Sequence, residues 1–597
     1  MNPRAALALL VATALPACGG CGAPASSPSA PDAPACLADH VTPLGTNFFT
    51  DISEASGIRA GNFVPNPPSK IPINDHSRLT FADLNGDGFD DIVASSLFPN
   101  PEAGVPFEHL VFLNNGDGTF RDFSDESGLR HVQAGVLVFA DVDNDGDEDC
   151  FAGLDLPLGS ETSAIYLNDG RGHFTLKANS GVEALIPAAN AVFADFDDDG
   201  KLDLFVGMGG TTYAAQNALL LGHGDGTFTD VSERLGAQTA QPTNGTVACD
   251  YDNDGDQDVF AATYGVSVNL GLNHLFQNDR GYFTDVGVAR GFASLATGNY
   301  WLPDTGMGAS PEPGHAAGNY MGSNAFGIDC VDVNNDGLQD IFLTAISHPV
   351  ASDYSREWSD PSQLLINQGP AKGFAFVNEF LERGLPFNEG DVDGSAVDFD
   401  NDGLVDLAIS RDRKYEGNYT TVDQKAWFGL MHQLPSGMFE SVGMASGIND
   451  PNEALHRMKA AQNHAWADID GDGDLDLLVG GRDTGGGRPN FLFRNEIGSR
   501  NAWLAIHVVG DGRKVNRDGI GTRVSVVYAD KTLSREVRSS RGTYSSADSK
   551  TLHFGLGGFG CDFTLRVRWP DGTKAAFGPD QVPLNHKLTL TYPDGLQ

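Results

Sequence analysis

A nine-residue pattern, Asp-x-Asp/Asn-x-Asp-Gly-x-x-Asp, occurs seven times in this chain and constrains its fold more than any other feature. The copies begin at Asp83, Asp141, Asp195, Asp250, Asp332, Asp398 and Asp468. A pattern that recurs along a chain marks a repeated structural unit rather than a series of ordinary acidic turns. Side chains at positions 1, 3, 5 and 9 converge only where the backbone turns sharply, and the Gly at position 6 permits that turn. Converging carboxylates present hard oxygen ligands. A flexible cage of several oxygens suits Ca2+ better than Mg2+, which keeps its waters and demands an octahedron. No thiolate or imidazole lies within the loops, which argues against zinc and copper.

The candidate ligands are Asp83, Asn85, Asp87 and Asp91 in the first loop, and Asp141, Asp143, Asp145 and Asp149 in the second. The third offers Asp195, Asp197, Asp199 and Asp203, and the fourth Asp250, Asp252, Asp254 and Asp258. The fifth offers Asp332, Asn334, Asp336 and Asp340, and the sixth Asp398, Asp400, Asp402 and Asp406. The seventh offers Asp468, Asp470, Asp472 and Asp476, for about seven Ca2+ sites in all. An EF-hand loop opens the same way, but it needs a Glu at position 12 and a helix on either side. Position 12 here is Ala94, Ala152, Val206, Ala261, Leu343, Ile409 or Val479. The flanks are short apolar runs such as Ala191–Ala194 and Leu204–Val206, so each loop is expected to join two β-strands.

A second pattern, Phe-x-Asp-Val-x-x-x-x-Gly with drift, also occurs seven times, from Phe49, Phe120, Phe174, Phe228, Phe283, Phe376 and Phe439. Most copies follow a Gly-rich turn, as in Leu221–Phe228. One unit then reads strand, Asp loop, strand, connection, strand, Gly turn, strand, the content of one propeller blade. Successive Asp loops are 58, 54, 55, 82, 66 and 70 residues apart, so the later units carry insertions. The first Phe pattern precedes the first Asp loop, and no Phe pattern follows the last. The N-terminal copy is therefore expected to complete the seventh blade and leave no free sheet edge. A linear solenoid would need capping units at both ends, and none is visible.

These units resemble FG-GAP/VCBS repeats, the calcium-loop blades of integrin α-subunit propellers, over roughly residues 48–498. Beyond Asn501 the alternation of apolar and polar residues in Ala502–Val508, Arg523–Tyr528 and Leu565–Trp569 predicts half-buried antiparallel strands. There the segments Asn516–Arg523, Leu552–Gly557 and Val567–Gly572 resemble the ASPIC/UnbV domain that follows such propellers in the cartilage acidic protein family. The expected architecture is all-β: a seven-bladed β-propeller with calcium loops (48–498) and a small C-terminal β domain (499–597). Arg517 and Asp518 read as a tight turn with a surface ion pair.

The formal charge of −42 disfavours nucleic acid and anionic lipid as partners. Seven Ca2+ would leave about −28, still acidic. Residues 1–17, with Arg4 ahead of the apolar run Ala5–Leu15, read as an export signal. Leu15-Pro-Ala-Cys18 resembles a bacterial lipoprotein cleavage box with Cys18 lipidated; a plain secretory signal is the alternative. Residues 18–47 read as a flexible Gly/Pro/Ser/Ala tether. Cys150, Cys249 and Cys330 sit in apolar runs and read as core residues.

No Gly-x-Ser-x-Gly, His-Glu-x-x-His or phosphate-loop motif is present. The long insertions fall in the connections expected on the side away from the Asp loops. They bring Trp358, Arg411, Arg413, His456 and His464, a basic and aromatic set suited to an anionic or sugar-like ligand. The sequence thus points to an exported adhesion or ligand-binding module of the bacterial cell envelope, lipid-anchored at the outer membrane or cell surface, that binds an extracellular protein or glycan and touches the membrane only through that anchor. A saccharide-acting lyase or hydrolase on the propeller face opposite the calcium loops is the alternative. The Asp-loop face is expected to hold metal ions and little else.

Overall fold

The computed structural model describes residues 41–58, 77–96, 107–155, 159–209, 215–238, 240–264, 272–293, 323–346, 362–388, 390–412, 425–449, 460–482, 490–557 and 562–597. The fold is all-β. Residues Leu37–Gln597 form one compact unit, with no division between repeats and C-terminal region. Among the described residues no helix is long and apolar enough to cross a membrane.

Among the described residues, seven four-stranded antiparallel sheets share one pattern. They are numbered here by their first strands: Arg78–Ala82, Val136–Ala140, Ala188–Ala194, Thr243–Cys249, Ala325–Val331, Asp391–Val397 and Ala460–Ala467. In each, the Asp loop joins the first strand to the second. Sheet three continues with Asp203–Met208, Ala218–Gly222 and Phe228–Asp230. Its first strand is wholly buried, whereas its last exposes everything but Phe228. Burial therefore falls from the first strand outward. The seventh sheet takes its fourth strand from the N-terminal side: Phe49–Asp51 pairs with Asn490–Asn495, Phe49 opposite Asn495. This is the pairing that the register of the two sequence patterns predicts.

The first strand of each sheet packs on the first strand of the next, from sheet one through sheet seven, and that of sheet seven packs on sheet one. Small residues allow this approach. A Cβ on Gly245 would lie 2.1 Å from the Phe326 carbonyl oxygen, and one on Gly327 2.6 Å from Gly394 N. A disulfide between Cys249 and Cys330 joins the first strands of sheets four and five. That corrects the reading of these two as plain core residues; Cys150 is buried and free.

The C-terminal region forms two more four-stranded sheets. In one, Trp503–Val509 pairs antiparallel with Leu552–Gly555 and parallel with Lys587–Thr591. The other is built on Arg523–Tyr528 and Thr564–Arg568. The parallel pair departs from the all-antiparallel expectation. Leu504, Ile506, Val526 and Leu565 belong to one continuous apolar core with Phe193, Phe205 and Phe228 of the repeats, so the two regions are fused through apolar burial.

Candidate metal loops and the interdomain face

Each Asp loop is folded by its own carboxylates. In loop three, Asp195 accepts the amide N–H of Asp199 at 3.0 Å and of Gly200 at 2.9 Å. Asp203 accepts the N–H of Phe196 and, through its other oxygen, that of Gly222 on the third strand, both at 2.9 Å. The position-9 carboxylate does the same in every loop, tying its loop to the end of the third strand. Burial raises these acids; Asp91 is pushed up to about 8 and Asp149 to about 9. Position 9, read from sequence as one ligand among four, is also the anchor of the sheet.

The turn has a second element that the sequence reading passed over. Position 4 is left-handed in all seven loops: Gly86, Asn144, Asp198, Asn253, Asn335, Asn401 and Gly471. Gly, Asn and Asp are the residues that tolerate this conformation, so restriction of position 4 to them was a legible signal.

The geometry fits a cation. Ligand atoms of Asp141, Asp143 and Asp149, of Asp195, Asp197 and Asp199, and of Asp250, Asp252 and Asp254 lie within 4.8 Å of one another. The Oδ1 atoms of Asp143, Asp197, Asp252 and Asp470, all at position 3, are buried without a hydrogen-bond partner. A buried, unsatisfied carboxylate oxygen is costly unless an ion answers it. Ca2+ would be held by these carboxylates and would supply that compensating charge.

The loops are also linked to one another. An amide side chain closing the third strand reaches back to the loop of the preceding sheet: Asn168 Nδ2 to Leu84 O at 2.8 Å, Asn278 to Phe196 O at 2.9 Å and Asn367 to Tyr251 O at 2.9 Å. Gln433 and Asn495 repeat the contact on Val333 O and Phe399 O. Asn114 Nδ2 makes it from sheet one to Ile469 O of sheet seven, at 3.0 Å. Gly222 occupies the step in sheet three and has no amide to offer.

The Asp-loop face is not left to metal ions, contrary to the expectation from sequence. The C-terminal domain covers it. Lys587 Nζ donates to Gly88 O at 2.7 Å, and Arg517 N to Asn144 Oδ1 at 3.0 Å. Arg568 pairs with Asp250, and Ser534 N donates to Asp332 Oδ2 at 3.2 Å. His553 bonds Asn401 Oδ1 at 2.7 Å. At loops three and seven the position-6 glycine serves a close approach as well as a turn. A Cβ on Gly200 would fall 2.3 Å from Arg513 O, and one on Gly473 1.8 Å from the Trp503 ring.

One segment of this domain, 538–549, runs between the first strands. Ser539 and Ser540 hydroxyls bond the carbonyls of Phe193 and Ala191, and Ser546 that of Leu79. Arg541, 2% exposed, pairs with Asp548 at 2.6 Å and Asp393 at 3.4 Å and donates to His464 O at 3.0 Å. The serines satisfy backbone groups that no neighbouring strand reaches.

Beside loops one, two and seven a cleft of about 630 Å3 opens between the two regions, lined in part by Asp90, Glu148, His507, Asp518, Lys550 and Lys587. Lys550 Nζ lies 2.5 Å from Glu148 and 2.7 Å from Asp518. One ammonium cannot neutralise two carboxylates. Burial and the Asp518 charge push Glu148 up to about 8. Asp518 thus pairs with Lys550, a residue of the cleft, in place of the expected surface pair with Arg517.

Of the residues expected to bind ligand, Trp358, Arg413 and His456 lie outside the described residues, as does Cys18. Arg411 is not on an exposed loop. It ends the second strand of sheet six, with a 2% exposed side chain 3.0 Å from the fully buried Asp391. His464 is likewise within a first strand, its ring nitrogens bonded to Ser395 and Ser410 at 2.7 and 2.9 Å. Period-2 patterning breaks down where both faces of a strand are covered, which is why these two read as loop residues.

A family model described as "FG-GAP-like repeat" matches residues 141–206 and 195–261, and one described as "ASPIC and UnbV" matches 512–597. No curated protein sequence matches the chain. Among solved structures the chain is similar to a rhamnogalacturonan lyase PL11 of Bacillus licheniformis. The identity is 12%, the TM-score 0.36, and the match covers 72% of this chain and 74% of that one. It is also similar to the V. cholerae biofilm matrix protein Bap1 at 11% identity and TM-score 0.28, over 86% and 75% of the two chains. AofleA from Arthrobotrys oligospora follows at 11% and 0.31, over 62% and 88%.

Proposed function

We propose that this chain, in which FG-GAP-like repeats lead into a C-terminal ASPIC and UnbV domain, is an exported, calcium-stapled seven-bladed β-propeller that binds an extracellular protein or glycan. Ring closure is supported by the packing of sheet seven on sheet one and by the Asn114 contact across that join. Calcium is supported by the buried, unpartnered oxygens at position 3. The Cys249–Cys330 disulfide suits an oxidising compartment outside the cytoplasm. Removal of residues 1–17 and a lipid on Cys18 are part of the proposal, as is kinship with the cartilage acidic protein family.

One observation carries the binding role. The C-terminal domain covers the Asp-loop face and threads 538–549 between the first strands. Metal loops and interior are thereby committed to architecture. Recognition falls to the opposite strand ends, where the longest connections leave the sheets. Incubating the chain with an array of glycans and extracellular-matrix proteins tests this: retention of a ligand without turnover is expected, and no retention of any class contradicts it.

The interdomain cleft favours a second reading, a saccharide-acting lyase or hydrolase, because two carboxylates face one another there across Lys550. Release of shortened or unsaturated sugar from a bound polysaccharide, lost in Lys550→Met, would establish it.

A further inference from the structure

The seven loops are not chemically equivalent, and the sixth departs furthest. Asp400 and Asp402 form a cluster with His432 whose ligand atoms all lie within 4.8 Å of one another. His432 Nε2 is 3.3 Å from Asp400 Oδ2 and 3.8 Å from Asp402 Oδ2, while Nδ1 faces Glu440 Oε1 at 3.7 Å. The side chain is 12% exposed, yet neither ring nitrogen makes an aligned hydrogen bond. Asp400 and Asp402 are themselves buried.

His432 stands on the third strand of sheet six, one residue before Gln433, whose N–H binds the position-9 carboxylate of Asp406. The same step in the other sheets is Leu113, Leu167, Leu221, Gln277, Ile366 or Arg494. Gln277 reaches Asp252 Oδ2 at 2.6 Å, so this step faces the third position of the loop. Four sheets place an aliphatic side chain there, and sheet seven a guanidinium. Sheet six alone places an imidazole there.

We propose that the sixth loop binds a transition-type divalent cation of the Zn2+ or Co2+ class, with His432 Nε2 and the loop carboxylates as ligands. This rests on the reading of the Asp loops as metal sites. Ca2+ takes oxygen ligands, whereas imidazole suits zinc and its neighbours. Nitrogen and oxygen donors about 2.1 Å from a tetrahedral ion stand about 3.4 Å apart, close to the observed 3.3 and 3.8 Å. Glu440 Oε1 stands 3.7 Å from Nδ1, beyond hydrogen-bond length but on the side from which a carboxylate orients a metal-bound histidine.

The test uses the full chain stripped with chelator, saturated with Ca2+ and then titrated with Co2+, followed by visible absorption. About one Co2+ per chain is expected to bind against the excess Ca2+, with ligand-field bands. His432→Gln should remove those bands and leave Ca2+ uptake elsewhere unchanged. Glu440→Gln should weaken Co2+ at least about 10-fold and serves as the readout should His432→Gln not fold. Equal Co2+ retention by both variants, or full displacement of Co2+ by Ca2+, overturns the sixth-loop assignment while leaving the calcium reading intact. So does a wild type that takes no Co2+ while His432→Gln gains a Ca2+, because the imidazolium is then the resident cation. Uptake of neither ion overturns both readings.

Discussion

Arg411 shows how far a residue's surroundings can depart from its sequence context. It follows a strand-like run and precedes a basic stretch, so it reads as the start of an exposed loop. The structure instead buries it against Asp391. Removing one partner of a buried pair leaves the other uncompensated, which costs about 3–5 kcal/mol. Arg411→Ala should therefore lower stability by that order in chemical denaturation. A change below about 0.5 kcal/mol, the usual cost at an exposed site, would show that the pair is not buried in solution. His432 is the converse case. Its carboxylate partners Asp400 and Asp402 lie about 30 residues upstream in the Asp loop, and no local motif marks His432 itself as facing them. The convergence of the carboxylates was legible because spacing within a loop fixes it; a partner from the third strand depends on sheet register.

At the scale of the element, the Asp loop is both turn and knot. Its buried acids titrate high in the metal-free protein, with Asp332 and Asp468 at about 7, Asp91 at about 8 and Asp149 at about 9, each chiefly through burial. A carboxyl raised in the folded state favours folding below its unfolded pKa, and that contribution is lost as pH rises through the folded value. Chelated protein should melt at progressively lower temperature as pH is raised from about 4 to 9, whereas Ca2+-loaded protein should not. A chelated sample more stable at pH 8 than at pH 5 would contradict this. The strand Phe49–Asp51 tests the join in the same way. Deleting residues 41–51 leaves Asn490–Asn495 as an open edge, and light scattering should then report aggregation that the full chain lacks. The order of four strands per unit and this N-terminal completion were legible because two patterns recur in fixed alternation. The amide clamp from Asn114 to Ile469 was not, since one Asn in a Gly-rich turn carries no mark of its partner 355 residues away.

For the whole molecule, the largest departure from the sequence reading is the position of the C-terminal domain. Composition and strand patterning locate its start, but docking depends on matched surfaces that no single segment displays. Its serine-rich segment supplies donors to carbonyls of the first strands, and Arg541 offsets the buried Asp393 and the partly exposed Asp548. Truncation after residue 498 should expose those groups together with the apolar face formed by Phe193, Phe205 and their neighbours. The repeats alone are expected to be insoluble or to melt well below the full chain; a soluble fragment of unchanged melting temperature would show the domains to be independent.

Metal ions proposed to staple the repeats would bind only the folded state and so raise its stability by mass action. The most direct measurement is calorimetric titration of the chelated full chain with Ca2+, followed by a thermal melt of the same sample. Uptake of about six or seven Ca2+ per chain is expected, according to the ion held by the sixth of the seven loops, with a large and reversible rise in melting temperature. A chain that takes up no Ca2+ and melts at the same temperature with and without it would show that metal ions do not staple the repeats.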